Sequence, residues 1–171
     1  MTWTKLLASR DVQRHRTSKK ELDDIRALIA RDLADAGVTA LSADRRFATA
    51  YNAALLTAHM VIACAGYRVT AKTGHHKVSF DAITLALGAG AGKYADYFER
   101  CRRKRNVIDY TRSHVATETE SEEILRQATE FHGFVETWID SKFPRHAARA
   151  IRQAPLRGRL SERSRRGSEC P

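Results

Sequence analysis

Apolar residues recur along most of this chain at intervals of three and four, which is the spacing of one helix face. Within residues 22–36 the recurring positions are Leu22, Ile25, Leu28, Ile29, Leu33 and Ala36. Just before them Ser18 and Glu21 form the Ser-x-x-Glu pattern of a capping box, and Gly37 follows where a helix end is expected. No segment shows the alternation of apolar and polar residues that is typical of a strand, so the pattern predicts an all-α protein.

Four more helical segments follow, and together they predict a bundle. Ser42 can cap the second helix, which has Asp44 in its first turn and ends near Gly66. The later helices are predicted at 78–87, at about 93–110, and from the capping box Thr119-Glu120-Ser121-Glu122 to just before Pro144. Residues 67–77 are predicted to form a connection. We therefore expect an up-and-down bundle of four to five helices over residues 18–143, preceded by a basic segment, 1–17, and followed by a basic, disordered tail, 144–171.

The most hydrophobic stretch, Phe47–Tyr67, raises the question of a membrane helix. Thr49, Asn52, Thr57 and His59 interrupt it, which favours a buried helix of the bundle, so no membrane association is predicted. The first residues lack the apolar run of a signal peptide. The three cysteines, at positions 64, 101 and 170, are scattered and form neither a disulfide framework nor a zinc pattern, which is typical of the reducing cytoplasm.

The net charge of +10 resides at the two ends of the chain. Residues 1–20 carry six lysines or arginines and one acid, and residues 145–171 carry eight arginines and two acids. The part between them holds 16 basic and 17 acidic residues and is close to neutral. Basic ends of this kind serve solubility or weak, non-specific contact with polyanions.

Two motifs that suggest ligand sites have the wrong spacing. The run Gly88–Lys93 is rich in glycine, but Leu87 stands where a Walker loop needs glycine, and Tyr94 stands where it needs Ser or Thr. The pair His75-His76 has no carboxylate or cysteine three or four residues further on, so we expect a loop pair rather than metal ligands. Neither a metal nor a cofactor is predicted.

One predicted helix carries a run of cations: Arg100, Arg102, Arg103, Lys104 and Arg105. Most such runs are solvated faces near a helix C-terminus. The apolar seam of this helix, however, passes through Tyr94, Phe98, Cys101, Arg105 and Ile108, which directs Arg105 toward the bundle or a groove beside it. A guanidinium in that place needs an ion-pair partner or a ligand, because burying it alone is costly. An internal pair with Asp109 or Glu130 and a ligand site are both open alternatives.

From Arg105 onward this helix resembles the signature of the HEPN family, the higher-eukaryote and prokaryote nucleotide-binding domains. That family is a four- to five-helix bundle whose signature is Arg, a polar residue such as Asn, three variable residues and then His. Arg105-Asn106 begins the pattern in the penultimate predicted helix, and the similarity covers roughly residues 20–142. The chain departs from the pattern at Tyr110, where the family has His. In active members the Arg and His drive metal-independent RNA cleavage at a dimer interface, whereas a tyrosine with a pKa of about 10 is a poor base.

The resemblance implies a cytoplasmic homodimer that does not cut RNA and that binds RNA or a partner protein. The nucleic-acid-binding candidates are Arg102, Arg103, Lys104 and Arg105. Relatives of this kind accompany nucleotidyltransferases or belong to bacterial defence and toxin–antitoxin systems, so a nucleotidyltransferase or an antitoxin is the expected protein partner. One alternative is a metal-independent endoribonuclease with an altered site of Arg105, Asn106 and Tyr110. Another is a purely structural interaction bundle in which Arg105 makes an internal salt bridge.

Overall fold

A computed structural model of the chain describes residues 1–110 and 114–148, apart from the side chains of residues 109 and 110. Within this part the helices are α1 (Trp3–Ala8), α2 (Lys19–Ala36), α3 (Ala43–Cys64), α4 (His75–Leu87), α5 (Gly92–Tyr110) and α6 (Glu118–Lys142). Two strands, β1 (Val12–Arg14) and β2 (Tyr67–Val69), pair in antiparallel orientation. The predicted all-α bundle is confirmed.

The short strand pair corrects the expectation that no strand is present. Each strand has only three residues, too few for a period of two to appear in the sequence. Backbone hydrogen bonds from His15 to Gly66 and from Thr70 to Asp11 extend the pairing at its two ends. Val12 is 2% exposed and packs into a small apolar cluster with Leu6 of α1, Ile62 of α3 and Ala82 of α4. Tertiary burial, rather than local pattern, therefore stabilises these strands.

The α3 helix lies at the centre of the bundle, as its nearly uniform apolar surface predicts. It packs against α2, α4, α5 and α6, and its buried residues include Phe47, Tyr51 and Met60. By length and composition α3 could cross a membrane, but 72% of its most apolar window is buried inside the described part of the chain. That degree of burial is typical of the core helix of a bundle.

The helix caps follow the predicted residues, with two changes. The hydroxyls of Ser18 and Ser42 accept hydrogen bonds from the third residue of their helices, as expected. The Glu21 carboxylate, predicted to bond back to the Ser18 backbone, instead accepts hydrogen bonds from His15, Thr17 and Arg68. The capping box of α6 is formed by Thr117 and Glu120 rather than by Thr119 and Glu122.

The start of α4 also differs from the prediction. Gly74 adopts the left-handed conformation, with a φ of 87°, and the helix begins directly after it at His75 rather than at Val78. Glycine permits this conformation without the steric cost of a Cβ atom. The prediction of His75-His76 as a loop pair is therefore wrong, because both residues belong to the first turn of α4. The glycine-rich run after α4 forms a single 3-10 turn, Ala89–Ala91.

The first residues after Pro144 pack against the bundle. Pro144–His146 form a 3-10 turn, the Lys19 ammonium donates to the Ala147 carbonyl at 2.8 Å, and the Arg26 guanidinium donates to the His146 carbonyl at 2.8 Å. Residues 149–171, which hold most of the predicted disordered tail, lie outside the described residues. The boundaries at residues 17/18 and 143/144 stay predictions.

Candidate nucleic-acid interface

The C-terminal half of α5 positions the candidate residues. Phe98 is fully buried and Cys101 is 6% exposed, and Ile108 packs on the edge of the core. Arg105 lies on the same seam and is half-buried. The expectation that Arg105 faces the bundle is therefore confirmed. Of the two acids considered as its internal partner, Glu130 bonds to Arg126 on α6, and the side chain of Asp109 lies outside the described residues.

Beneath Arg105 lies a pair of rings from α3 and α4. The Arg105 guanidinium carbon is 5.9 Å from the centre of the Tyr51 ring, and the Tyr51 hydroxyl lies 3.3 Å from Nδ1 of His76. Burial raises the pKa of the Tyr51 phenol, which therefore stays protonated. Burial, followed by the charges of His75 and Arg105, lowers the pKa of His76 to about 4. At neutral pH His76 is thus an uncharged ring beside a guanidinium.

Arg105 lines a depression between α4 and α5 that has a volume of about 280 Å³. Its lining consists of Gly74, His75 and His76 from the start of α4 and of Arg102, Arg105 and Asn106 from α5. The two histidine rings meet edge to face, with their centres 4.3 Å apart. The packing of α4 on α5 thus brings together two motifs that are about 30 residues apart in the sequence.

The tautomer of His75 follows from its hydrogen bond. Nδ1 of His75 lies 2.9 Å from the carbonyl oxygen of Lys72. A carbonyl oxygen can only accept, so Nδ1 carries the proton and donates it. In the neutral ring Nε2 then carries no proton and is the hydrogen-bond acceptor. The Lys72 carbonyl orients the ring through Nδ1, and this hydrogen bond does not involve Nε2.

The four cations proposed for nucleic-acid binding do not share one site. Arg102 lines the depression and is held by two hydrogen bonds to Glu99, of 2.8 and 3.0 Å. The Arg103 side chain is 73% exposed on the outside of α5. Lys104 turns to another face of the helix, where it pairs with Glu120. Of the proposed catalytic group, Arg105 and Asn106 lie together in the depression, while the side chain of Tyr110 lies outside the described residues.

On its other side Arg105 borders a polar groove of about 550 Å³ between α2 and α3. The buried carboxylate at its base, Asp32, accepts hydrogen bonds from Arg31 and Asn52. Arg105 is therefore located between two depressions of different character, one with histidines and one with carboxylates. Among the described residues, no group of three or more His, Cys, Asp or Glu is arranged to hold a metal ion.

The chain is thus a helical bundle with an Arg-Asn pair late in its penultimate long helix. The family model for the SAV_6107-like HEPN domain matches residues 37–136, a range that contains α3, α4 and α5 and most of α6. The chain belongs to the HEPN family. No curated protein and no solved structure matches the chain significantly.

Proposed function

We propose that this HEPN domain binds single-stranded RNA at the depression beside Arg105 and does not cut it. The observation that carries the proposal is the set of groups around that depression: two guanidiniums, an amide and two imidazoles. Guanidinium groups recognise phosphate oxygens in a planar, bidentate manner. A volume of about 280 Å³ can admit a phosphodiester with part of its ribose.

The surroundings of these groups also favour an anionic ligand. The Glu99 carboxylate holds the Arg102 guanidinium in place, so less side-chain freedom is lost on binding. The start of α4 lines the depression, and helix N-termini favour negative charge. A polyanionic strand would gain from both.

The absence of cutting is proposed because two of the candidate bases, Tyr110 and His76, are weak. Tyr110 stands five residues after Arg105, and an unperturbed phenol with a pKa of about 10 accepts protons poorly near neutral pH. His76 is a weak base because its pKa is lowered to about 4. Neither group suits proton abstraction at pH 7.

The test compares Arg105→Ala with Arg14→Ala, which removes an exposed guanidinium on β1 outside the depression. Loss of a charged hydrogen-bonding anchor should weaken binding to a labelled single-stranded RNA by roughly 10- to 150-fold in fluorescence anisotropy. The control should remain within about twofold of the unchanged protein. Unchanged affinity together with a lower melting temperature for Arg105→Ala would instead support the purely structural bundle.

A second candidate function is an altered endoribonuclease, and the position of His75 favours it. Nε2 of His75 would take the proton of a ribose 2′-hydroxyl, whose oxygen attacks the adjacent phosphorus. The bond from phosphorus to the 5′-oxygen breaks, and that oxygen takes a proton from water. The products would be a 2′,3′-cyclic phosphate and a 5′-hydroxyl. Cleavage without metal that is lost in both His75→Ala and Arg105→Ala would replace the binding proposal with this one.

We also propose, from membership of the family, a cytoplasmic homodimer that works with a nucleotidyltransferase or an antitoxin. Light scattering of the purified chain measures its molar mass and so tests the homodimer. A monomer at micromolar concentration would contradict it. Co-purification with the product of an adjacent gene measures the second part.

A further inference from the structure

Another opening flanks α5 on a different face from the depression lined by His75 and His76. It lies between α5 and α6, has a volume of about 410 Å³, and has a floor made of Phe47, Tyr97 and Cys101. Arg100 and Lys104 form its rim on α5. We refer to this opening as the aromatic slot. Its apolar floor is unlike the polar groove between α2 and α3.

The rim cations stand over the aromatic rings of the floor. The Arg100 guanidinium carbon is 5.8 Å from the centre of the Tyr97 ring, and the Lys104 nitrogen is 6.0 Å from the centre of the Phe47 ring. Arg100 is exposed and makes no ion pair with any residue in the described ranges. Aromatic rings next to an exposed cation form the combination that stacks a base and holds its phosphate.

We propose that the aromatic slot receives an unpaired nucleobase of the RNA strand whose phosphate binds beside Arg105. This inference rests on the proposed function. The two sites lie on different sides of α5, and the exposed side chain of Arg103 lies on the surface between them by helical periodicity. A strand that crosses the cationic surface of α5 can therefore occupy both sites. Double-stranded RNA cannot, because its bases are stacked and paired.

The α6 rim of the slot indicates which bases fit best. It carries the carboxylates of Glu120 and Glu123, each of which accepts three hydrogen bonds within the chain and keeps about one further acceptor position. The hydrogen bond from Lys104 lowers the pKa of Glu120, and the hydrogen bond from Arg126 lowers the pKa of Glu123. Both carboxylates are therefore ionised at neutral pH. Cytosine offers an exocyclic amine to such acceptors, whereas uracil has a carbonyl at the same position. The slot should therefore favour cytosine over uracil, two bases of equal size.

The experiment measures the affinity of the full chain for three labelled eight-residue strands: oligo-cytidine, oligo-uridine and an abasic phosphodiester. Base stacking contributes enough that the cytidine strand should bind about tenfold more tightly than the abasic strand. The uridine strand should lie between them. Equal affinity for the cytidine and abasic strands would overturn the slot while leaving the phosphate site intact.

Two tryptophan substitutions on α6 test whether the tighter binding of the cytidine strand arises in the slot. Thr119 is exposed at the rim of the slot, so Thr119→Trp should fill the slot without entering the core. Thr129 is an exposed threonine further along α6, and Thr129→Trp serves as the matched control. Thr119→Trp should abolish the advantage of cytidine over the abasic strand, and Thr129→Trp should preserve it. An unchanged advantage in Thr119→Trp would contradict the proposal and would leave the slot to another occupant, such as a peptide.

Arg105→Ala separates the two proposals. It should weaken binding of all three strands, including the abasic one, because it acts on the phosphate site. If the unchanged protein binds none of the strands, both the proposed function and the slot are wrong. If Arg105→Ala leaves abasic binding unchanged while Thr119→Trp removes the cytidine advantage, the slot stands and the phosphate site is wrong.

Discussion

Oδ1 of Asp44 accepts a hydrogen bond from the backbone N–H of Ala116 at 2.7 Å, and this bond ties the first turn of α3 to the segment that enters α6. The same carboxylate accepts hydrogen bonds from the backbone N–H groups of His114, at 2.5 Å, and Val115, at 2.9 Å. By holding these residues, Asp44 places Thr117, with its extended backbone, at the cap of α6. The start of α6 two residues earlier than predicted follows from this contact.

Asp44→Ala should therefore cost more than removal of an ordinary surface acid. Hydrogen bonds to a charged acceptor contribute roughly 1.5–3 kcal/mol each in net terms, and the three share one carboxylate, so we expect a loss of about 2 kcal/mol. Urea unfolding measures it. Asp35→Ala, which removes an exposed acid of α2, is the control and should stay within about 0.5 kcal/mol. Equal losses in the two variants would show that the contact contributes nothing.

The stability of the fold should fall as the solution is acidified from pH 7 to pH 5. Burial, followed by the charge of His75, lowers the pKa of His59 to about 4, and burial gives His76 the same shift. Because the unfolded chain keeps a pKa near 6.5, it binds protons that the folded chain excludes. The folded state keeps its full stability above pH 6.5 and loses stability as the pH falls toward 4. Protonation of His59 alone should lower the free energy of unfolding by about 2 kcal/mol at pH 5.

Urea unfolding of His59→Gln at pH 7 and pH 5 tests the contribution of His59. The difference between the two pH values should shrink but not vanish, because His76 remains. His114→Asn is a suitable control, since His114 is exposed and asparagine tolerates its φ of 60°. A pH dependence that is unaltered in His59→Gln would contradict the assignment.

The two described cysteines should resist alkylation in the folded protein. Cys64 and Cys101 are both buried, and burial raises the pKa of each thiol to about 11. Since the thiolate is the nucleophile, iodoacetamide at pH 7.5 should modify both cysteines only after unfolding in urea. Peptide mass spectrometry distinguishes the sites. Rapid native alkylation of Cys101 alone would mean that the floor of the aromatic slot is open to reagents and that its thiol ionises.

Removal of residues 149–171 should weaken binding to any RNA or DNA without changing discrimination between sequences. The deletion removes seven arginines and two acids, so affinity should depend less steeply on salt. The melting temperature should be unchanged. A deletion that begins at Pro144 should also lower the melting temperature, because Lys19 and Arg26 lose the carbonyl groups of Ala147 and His146. Loss of sequence discrimination in the shorter deletion would contradict a non-specific role for the tail.

The sequence by itself determined the long helices α2 to α6, because the signals that encode them are local. The short helix α1 (Trp3–Ala8) was not predicted and lies in the segment that was expected only to be basic. The apolar spacing of α2, the hydroxyls of Ser18 and Ser42, and Gly88 after α4 act within one or two turns of the chain. The same spacing places Arg105 on the apolar seam of α5. A family signature in that helix then indicated the HEPN fold, which the match over residues 37–136 confirms.

Only the tertiary structure decided which residues surround Arg105. His75 and Arg105 are 30 positions apart, and no local signal records that α4 packs on α5 or that Gly74 turns the chain so that His75 opens a helix. The same holds for the aromatic slot, whose floor combines Phe47 of α3 with Tyr97 and Cys101 of α5. The periodicity of the sequence shows which face of a helix is apolar. It does not show which other helix packs against that face, because this depends on the packing of the whole bundle. The candidate site is formed by such long-range packing, and therefore the sequence alone predicted Arg105 and Asn106 but not the histidines beside them.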